Sequence, residues 1–480
     1  MMKMRTRFAP SPTGFMHIGN LRTALYAYLF AKSNNGDFLI RIEDTDRERF
    51  VPGAIEKIYS TLDACGIVED ESPRKPGACG PYVQSERKEI YLNYAKKLVE
   101  LGGAYLCFCG KKAAPNNDTA ENIQKYDKHC ASLSQSEIEA NLAKGQPYVI
   151  RQNIPLSGKT TYHDMVFGDI VVDCADLEDN ILIKSDGMPT YNFANVIDDH
   201  LMGITHVIRG TEYLSSTPKY NLLYESFGWK KPQYMHLTPI MKDERHKLSK
   251  RDGDANFEDF TSKGYLPSAI INYIALLGWS PKENIEKMTM SELIELFSVD
   301  GLTKSASIFD ETKMKWLNGQ YIRELSIEDF LKLSSPFFDK SQYGKSYDRI
   351  KLATVLHQRV DIFDEIEEKI ALIENFNIYN IELFERQKLK ATRETAKIAL
   401  NSVILAFSEL EAFDETVIRD TLASITEQTA LKKGQVLWAV RVALTGKEST
   451  PGGAVETADI LGKSESLRRL KFSLELLNSN

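Results

Sequence analysis

Phe8-Ala9-Pro10-Ser11-Pro12-Thr13-Gly14-Phe15-Met16-His17-Ile18-Gly19-Asn20 joins two segments of different periodicity. Before it, Arg5 to Ala9 reads as a short strand. After it, Leu21, Leu25, Tyr28, Leu29 and Ala31 recur at helical spacing, so a helix is expected from about Gly19 to Ser33. Asn34-Asn35-Gly36 ends that helix, and Asp37 to Ile42 follows as a largely apolar strand. Strand, loop, helix, strand is a βαβ unit, which implies an α/β fold with a parallel, doubly wound sheet.

In such a sheet the loop after the first strand, opening onto a helix N-terminus, is where phosphate binds. Gly14 and Gly19 let the backbone approach a nucleotide closely. His17 and Asn20 can donate hydrogen bonds to an α-phosphate under displacement. Glu43-Asp44-Thr45-Asp46 closes the second strand at the edge facing the same crevice, where a carboxylate can hold an ammonium. Far downstream, Lys247-Leu248-Ser249-Lys250-Arg251 carries two ammonium groups three residues apart, suited to a triphosphate that becomes pyrophosphate.

The chain around these motifs falls into segments. Ser72 to Gly77 breaks the α/β pattern, and an amphipathic helix is expected from Ser85 to Leu101, with Ile90, Tyr94, Leu98 and Leu101 on one stripe. Residues 81–190 are read as a domain inserted between two halves of the nucleotide-binding fold, 1–80 and 191–245. The second half holds a strand at His206 to Arg209 and a helix from Thr217 to Phe227. Residues 246–325 carry the lysine loop and its surroundings. Beyond about Leu325 strand signals nearly vanish. Ile350 to Val360, Arg393 to Leu410, Thr416 to Ile425 and Val436 to Leu444 read as helices, so 326–480 should be all-helical.

At 480 residues the chain should hold roughly two to four domains. Its 42% hydrophobic and 26% charged residues are those of a soluble protein. A net charge of −7 argues against a generic nucleic-acid coat, while leaving room for a local basic face. No apolar run approaches the roughly 18 residues of a membrane helix. Met1 to Phe8 lacks the apolar core of a secretion signal, so a cytoplasmic protein is expected. The sequence carries no oligomer signal, and a monomer is expected. Of six cysteines, Cys65, Cys79 and Cys174 are scattered, whereas Cys107, Cys109 and Cys130 cluster, which suggests a metal in a reducing compartment. Three thiolates with one further O or N ligand suit tetrahedral zinc, and His129 is one such donor.

Taken together, the motifs resemble those of the bacterial glutamyl-tRNA synthetases, within the class I aminoacyl-tRNA synthetases. The two phosphate motifs look like variants of the paired ATP signatures of that class. The likeness runs on through Arg7 to Gly14, Arg41 to Asp46, Tyr191-Asn192-Phe193-Ala194 and Ile208-Arg209-Gly210-Thr211-Glu212. It continues in Lys315-Trp316-Leu317-Asn318-Gly319, Arg441 to Gly446 and Leu461-Gly462-Lys463.

The resemblance implies a Rossmann-type catalytic domain, an inserted acceptor-stem-binding domain and an all-helical anticodon-binding half. It implies ATP with Mg2+ bound by His17, Gly19, Asn20, Lys247, Ser249 and Lys250, of which His17, Asn20, Lys247 and Lys250 would be catalytic. L-Glutamate would be held by Arg7, Ala9, Ser11, Glu43, Tyr191, Asn195 and Arg209. Tyr213 stands where this pocket often has tryptophan. In some members Tyr-x-x-x-Cys supplies a zinc ligand, so Tyr126 stands beside His129 as the partner of Cys107, Cys109 and Cys130. The expected reaction is ATP-dependent formation of glutamyl-adenylate and transfer of glutamate to the terminal ribose of tRNA-Glu. Arg209 followed by Gly210, and the helical C-terminal half, argue against the glutaminyl enzyme. Arg359, Arg441, Lys463, Arg468, Arg469 and Lys471 are candidates for tRNA contact.

Overall fold

Strand β1 (Arg5–Phe8) and strand β2 (Asp37–Ile40) pair in parallel, Arg5 opposite Asp37 and Phe8 opposite Ile40, with helix α1 (Ile18–Ser33) crossing between them. This is the βαβ unit expected from the opening residues. The structure is a computed structural model that describes residues 3–45, 51–110, 126–248, 255–376 and 380–479. α1 ends as its sequence suggests: Asn34 caps it, and Asn35 takes the left-handed conformation at φ 53° that asparagine tolerates. β2 stops two residues short of expectation. Ile40 and Ile42 instead bond the carbonyls of Glu71 and Tyr82 in passing loops.

The expected helix from 85 splits into a 3-10 turn, Gln84–Arg87, and helix α2 (Lys88–Glu100). Beyond it come strands β3 (Ala104–Cys107), β4 (Val149–Gln152), β5 (Lys159–Asp164), β6 (Gly168–Asp173) and β7 (Ile181–Ile183). β3, β4 and β7 form an antiparallel sheet. Helix α3 (Tyr191–Leu201), strand β8 (His206–Gly210), helix α4 (Thr217–Phe227) and strand β9 (Gln233–Leu237) follow. β8 and β9 are parallel, and the β5–β6 hairpin extends their sheet in the order β6-β5-β9-β8. A hairpin from within 81–190 thus reaches the strands of 191–245. Leu39, Tyr162, Val207 and Tyr234 pack in one of the cores of this arrangement.

Two compact units emerge. One holds residues 1–259 and 270–310, and the other holds 260–269 and 311–480. In the second unit no strand occurs among the described residues, and helices run over Ile327–Lys340, Arg349–Leu356, Ile366–Glu374, Arg393–Glu409, Glu415–Gln428, Lys433–Thr445 and Ala454–Ser479. Their core gathers Phe330, Leu352, Val403, Val436, Leu444 and Leu470, together with Leu266 and Ala269 from the short borrowed segment. The last helix was not expected from the sequence. Gly462, at φ 75° and ψ 167°, breaks it, and that break hides its periodicity. No helix among the described residues is long and apolar enough to cross a membrane.

Candidate active site

His17 is the N-cap of α1, and its Nδ1 accepts the Gly19 N–H at 3.0 Å. That bond leaves the proton of a neutral ring on Nε2. A Cβ on Gly19 would come within 3.2 Å of that Nδ1, so glycine keeps the cap open. Asn20, one residue on, is exposed on the first turn. The chain beyond the lysine loop returns here: Ala255 accepts the Ile18 N–H at 2.9 Å, and Asn256 bridges to His17. On its other side the loop is anchored by Leu248, which bonds the Ile240 carbonyl, and Lys247 is exposed. Backbone pairing therefore ties the chain just beyond the lysine loop to the start of α1. Ser249 and Lys250, and with them Asp46, lie outside the described residues.

Around the end of β1, Ala9 is half-buried and Ser11 exposed, while Pro10 accepts the Glu43 N–H at 3.0 Å. Glu43 is buried, and its Oε1 accepts Arg41 Nη2 at 2.8 Å and Gln84 Nε2 at 3.4 Å. Its Oε2 has no hydrogen bond among the described residues. Burial pushes the Glu43 carboxyl above its ordinary value against the pull of Arg41. An arriving cation would favour its ionised form.

Arg41 is wholly buried and central to a charge cluster. It also reaches Asp199 at 2.8 Å and Asp198 at 3.6 Å. Asp199 takes the Nε–Nη2 edge of Arg7 at 3.0 and 3.2 Å, and Asp198 takes Arg87 at 2.7 Å, Gln84 at 2.9 Å and the Tyr91 hydroxyl at 2.9 Å. Three guanidiniums meet three carboxylates, so the buried cluster is balanced in charge. Burial opposes the Asp199 carboxylate, but Arg7 and Arg41 outweigh it and hold it below the usual range. The cluster joins β1, the end of β2, α2 and α3.

Tyr191 and Asn195 lie one turn apart on α3, as their spacing suggests, and Asn195 Nδ2 donates to the Tyr191 carbonyl at 2.6 Å. The Tyr191 ring is 5.5 Å from that of Tyr213, and the Arg209 guanidinium sits 5.1 Å from the Tyr213 ring centre. Tyr220 and Tyr234 are 4.9 and 5.6 Å from the same guanidinium. Arg209 also donates through Nε to His236 Nε2 at 3.3 Å and through Nη2 to Thr217 Oγ1 at 2.6 Å. Its Nη1 has no hydrogen bond among the described residues. Arg7 reaches the carbonyl of neighbouring Ile208 at 3.3 Å. Burial raises the pKa of the Tyr191 hydroxyl, and Glu43 and Arg209 both act on it electrostatically, the carboxylate raising it and the guanidinium lowering it, an arrangement suited to a zwitterion with an acidic side chain.

Sequence reasoning missed Asp198, Asp199, Gln84, Arg87 and His236. The continuation of the Tyr191–Asn195 spacing to Asp199 was a usable signal.

A second cluster lies at the end of β3. Cys107 Sγ is 3.4 Å from Cys109 Sγ, which is 3.3 Å from Cys130 Sγ. Tyr126 Oη approaches Cys107 and Cys109 at 3.2 and 3.3 Å, and His129 Nε2 approaches Cys109 and Cys130 at 3.3 and 3.5 Å. Arg151 donates to Cys107 at 3.3 Å and lies 4.3 Å over the Tyr126 ring. Three thiols packed this closely, with an oxygen and a nitrogen donor in reach, fit a tetrahedral metal.

Of the candidates for tRNA contact, Arg359, Arg468 and Lys471 are exposed, although Arg468 pairs with Glu465 at 2.7 Å. Arg441 is half-buried. Arg469 is corrected: it is 3% exposed and bonds Glu465 and the carbonyls of Ile373 and Leu444 at the end of neighbouring helices, so it is structural. Lys463 bonds the Ser408 carbonyl at 2.9 Å and caps a helix.

Comparison with known proteins gives the class first. Residues 3–316 match the family described as "tRNA synthetases class I (E and Q), catalytic domain", and residues 328–474 match "Anticodon binding domain". The chain belongs to the class I tRNA synthetases of the glutamate and glutamine group. More particularly, it is 52% identical over 481 residues to the protein named glutamate–tRNA ligase of Clostridium botulinum, covering 99% of each chain. It is 51% identical to that of Clostridium novyi, covering 99% of this chain and 98% of the other. A crystal structure of a glutamate tRNA ligase from Elizabethkingia meningosepticum, in complex with its amino acid, superposes with a TM-score of 0.86 at 34% identity, covering 99% of this chain and 100% of that one.

Proposed function

We propose that the chain is a glutamate–tRNA ligase. In the first step a carboxylate oxygen of L-glutamate attacks the α-phosphate of ATP and pyrophosphate leaves. In the second a ribose hydroxyl at the 3′ end of tRNA-Glu attacks the acyl carbon and AMP leaves. No protein nucleophile is needed, and catalysis is positioning with charge stabilisation.

The observation that carries the reading is that Glu43 and Arg209, both close enough to Tyr191 to act on its hydroxyl, each keep one polar atom, Oε2 and Nη1, without a hydrogen bond among the described residues. Glu43 holds the α-ammonium, and Arg209 holds the side-chain carboxylate with a planar donor fork. Arg7, Ala9, Ser11, Tyr191 and Asn195 complete the glutamate site. His17, Gly19, Asn20, Lys247, Ser249 and Lys250 take ATP, which Mg2+ accompanies. Residues 81–190 contact the acceptor stem, and 326–480 read the anticodon, in keeping with the match of that half to an anticodon-binding family. Cys107, Cys109, Cys130 and Tyr126 hold a structural zinc. Tyr126 is favoured over His129 because Arg151 lies over its ring and would stabilise a phenolate.

The test is aminoacylation of tRNA-Glu by Arg209→Ala. A substrate carboxylate deprived of its guanidinium loses about 2–5 kcal/mol of binding. The glutamate KM should rise accordingly, with the ATP KM unchanged. An unaltered glutamate KM would reject the assignment.

A further inference from the structure

Arg209 and His236 are partners in register on the parallel strands β8 and β9. His236 is fully buried, as is Asp164 at the end of β5. The Asp164 carboxylate is saturated: Oδ1 accepts the N–H groups of Val166 and Phe167 at 2.9 Å each, and Oδ2 accepts His236 Nδ1–H at 2.6 Å and the His236 N–H at 3.2 Å. With the proton on Nδ1, His236 turns a lone pair on Nε2 toward Arg209 Nε–H. Thr217 donates its hydroxyl proton to the Tyr213 carbonyl at 2.8 Å and accepts from Arg209 Nη2. The Nε–Nη2 edge of Arg209 is therefore occupied, and Nη1 is left without a hydrogen bond among the described residues.

We infer that Asp164 and His236 are positioning residues that set the aim of the Arg209 guanidinium at the side-chain carboxylate of the amino-acid substrate, through the imidazole tautomer that Asp164 selects. This inference rests on the reading of Arg209 given above. It adds the β5–β6 hairpin, far from the phosphate motifs in sequence, to the determinants of amino-acid recognition. Burial lowers the His236 pKa against the influence of Asp164, which keeps the imidazole neutral and its Nε2 able to accept.

Asp164→Asn is the sharpest probe because it is isosteric. Two backbone N–H groups keep the amide oxygen at the Oδ1 position, so the amide NH2 faces His236 Nδ1. The imidazole proton must then move to Nε2, where it opposes Arg209 Nε–H. His236→Asn keeps a donor toward Asp164 but has no acceptor for Arg209, whereas His236→Gln can place its oxygen near the Nε2 position.

Full-length variants are compared in aminoacylation for glutamate KM, ATP KM and kcat, beside Arg209→Ala and a thermal unfolding scan. Asp164→Asn and His236→Asn should each raise the glutamate KM roughly tenfold or more, the scale of a lost hydrogen bond to a charged group. The ATP KM should stay within about twofold, the mark of a defect confined to one substrate. His236→Gln should recover most of the loss. The inference is overturned if His236→Asn leaves the glutamate KM unchanged while Arg209→Ala raises it. It is also overturned if both substrates' KM values rise together, or if His236→Gln is as impaired as His236→Asn. An Arg209→Ala enzyme with normal glutamate KM would instead reject the function reading itself. If Asp164→Asn does not fold, the two His236 variants still decide.

Discussion

Asp199 is a single carboxylate answering two buried guanidiniums, those of Arg7 and Arg41. Asp199→Asn keeps the shape and removes the charge. Because it leaves uncompensated buried cations, it should cost about 3–5 kcal/mol of stability, measured by denaturant unfolding of the full chain. A loss below about 1 kcal/mol, the scale of an exposed pair, would mean water reaches the cluster. Arg7, Glu43, Tyr191, Asn195 and Arg209 stand out in the sequence through the family resemblance of the motifs that hold them, and their residue types agree with an acidic amino acid. Asp198 and Asp199 do not, since two acids near the end of a helix usually face water, and only tertiary packing buries this pair. His236 was hidden for the same reason: an isolated histidine in a strand discloses neither its register partner nor its tautomer.

Short elements hold the metal-type cluster together. Cys107 ends β3, and Cys130 lies in the 3-10 turn His129–Ser132. The two pack in one small core with Tyr105, Leu133 and Val149. Elemental analysis should find about one zinc per chain, and Cys130→Ser should lose it. Tyr126→Phe should weaken retention against a chelator more than His129→Ala does, and the reverse order would exchange their roles. In the last helix, hydrogen bonds from Arg468, joined by Arg469, hold the Glu465 carboxyl down to about 2. A carboxyl depressed on folding contributes stability above its unfolded value of 4.5 and loses it as pH falls toward about 2. Glu465→Gln should therefore destabilise the chain at neutral pH by about 1 kcal/mol or less, since the pair is partly exposed. That deficit should shrink as the buffer is acidified below the unfolded value. Helix and strand positions were readable wherever one periodicity ran unbroken, as in α1. The helix at Ala454–Ser479 was missed because Gly462 resets the phase of its apolar face.

For the whole molecule, exposure divides the basic residues of the helical unit. Arg359 and Lys471 face solvent, whereas Arg469 is enclosed. Replacing Arg359 or Lys471 by alanine should weaken tRNA binding and lower the slope of log K against log salt by about 1 for each phosphate that is no longer neutralised. Arg469→Ala should lower the unfolding temperature instead. An unchanged slope in both surface variants would remove those two residues from the tRNA interface. The division into an α/β part and a helical part was evident from where strand signals cease, but the exchange of residues 260–269 was not, because no composition shift marks them. The backbone passes from one unit to the other three times, after Asp259, Ala269 and Asp310. Leu266 bonds Asn318 Oδ1 at 2.8 Å and shares a core with Phe330 and Leu352. No single splice point therefore separates the two halves. A chimaera assembled at one junction near Leu325 would keep the native ten-residue segment beneath a foreign helical array. Exchange between relatives should yield stable hybrids only when that segment travels with the helices it serves.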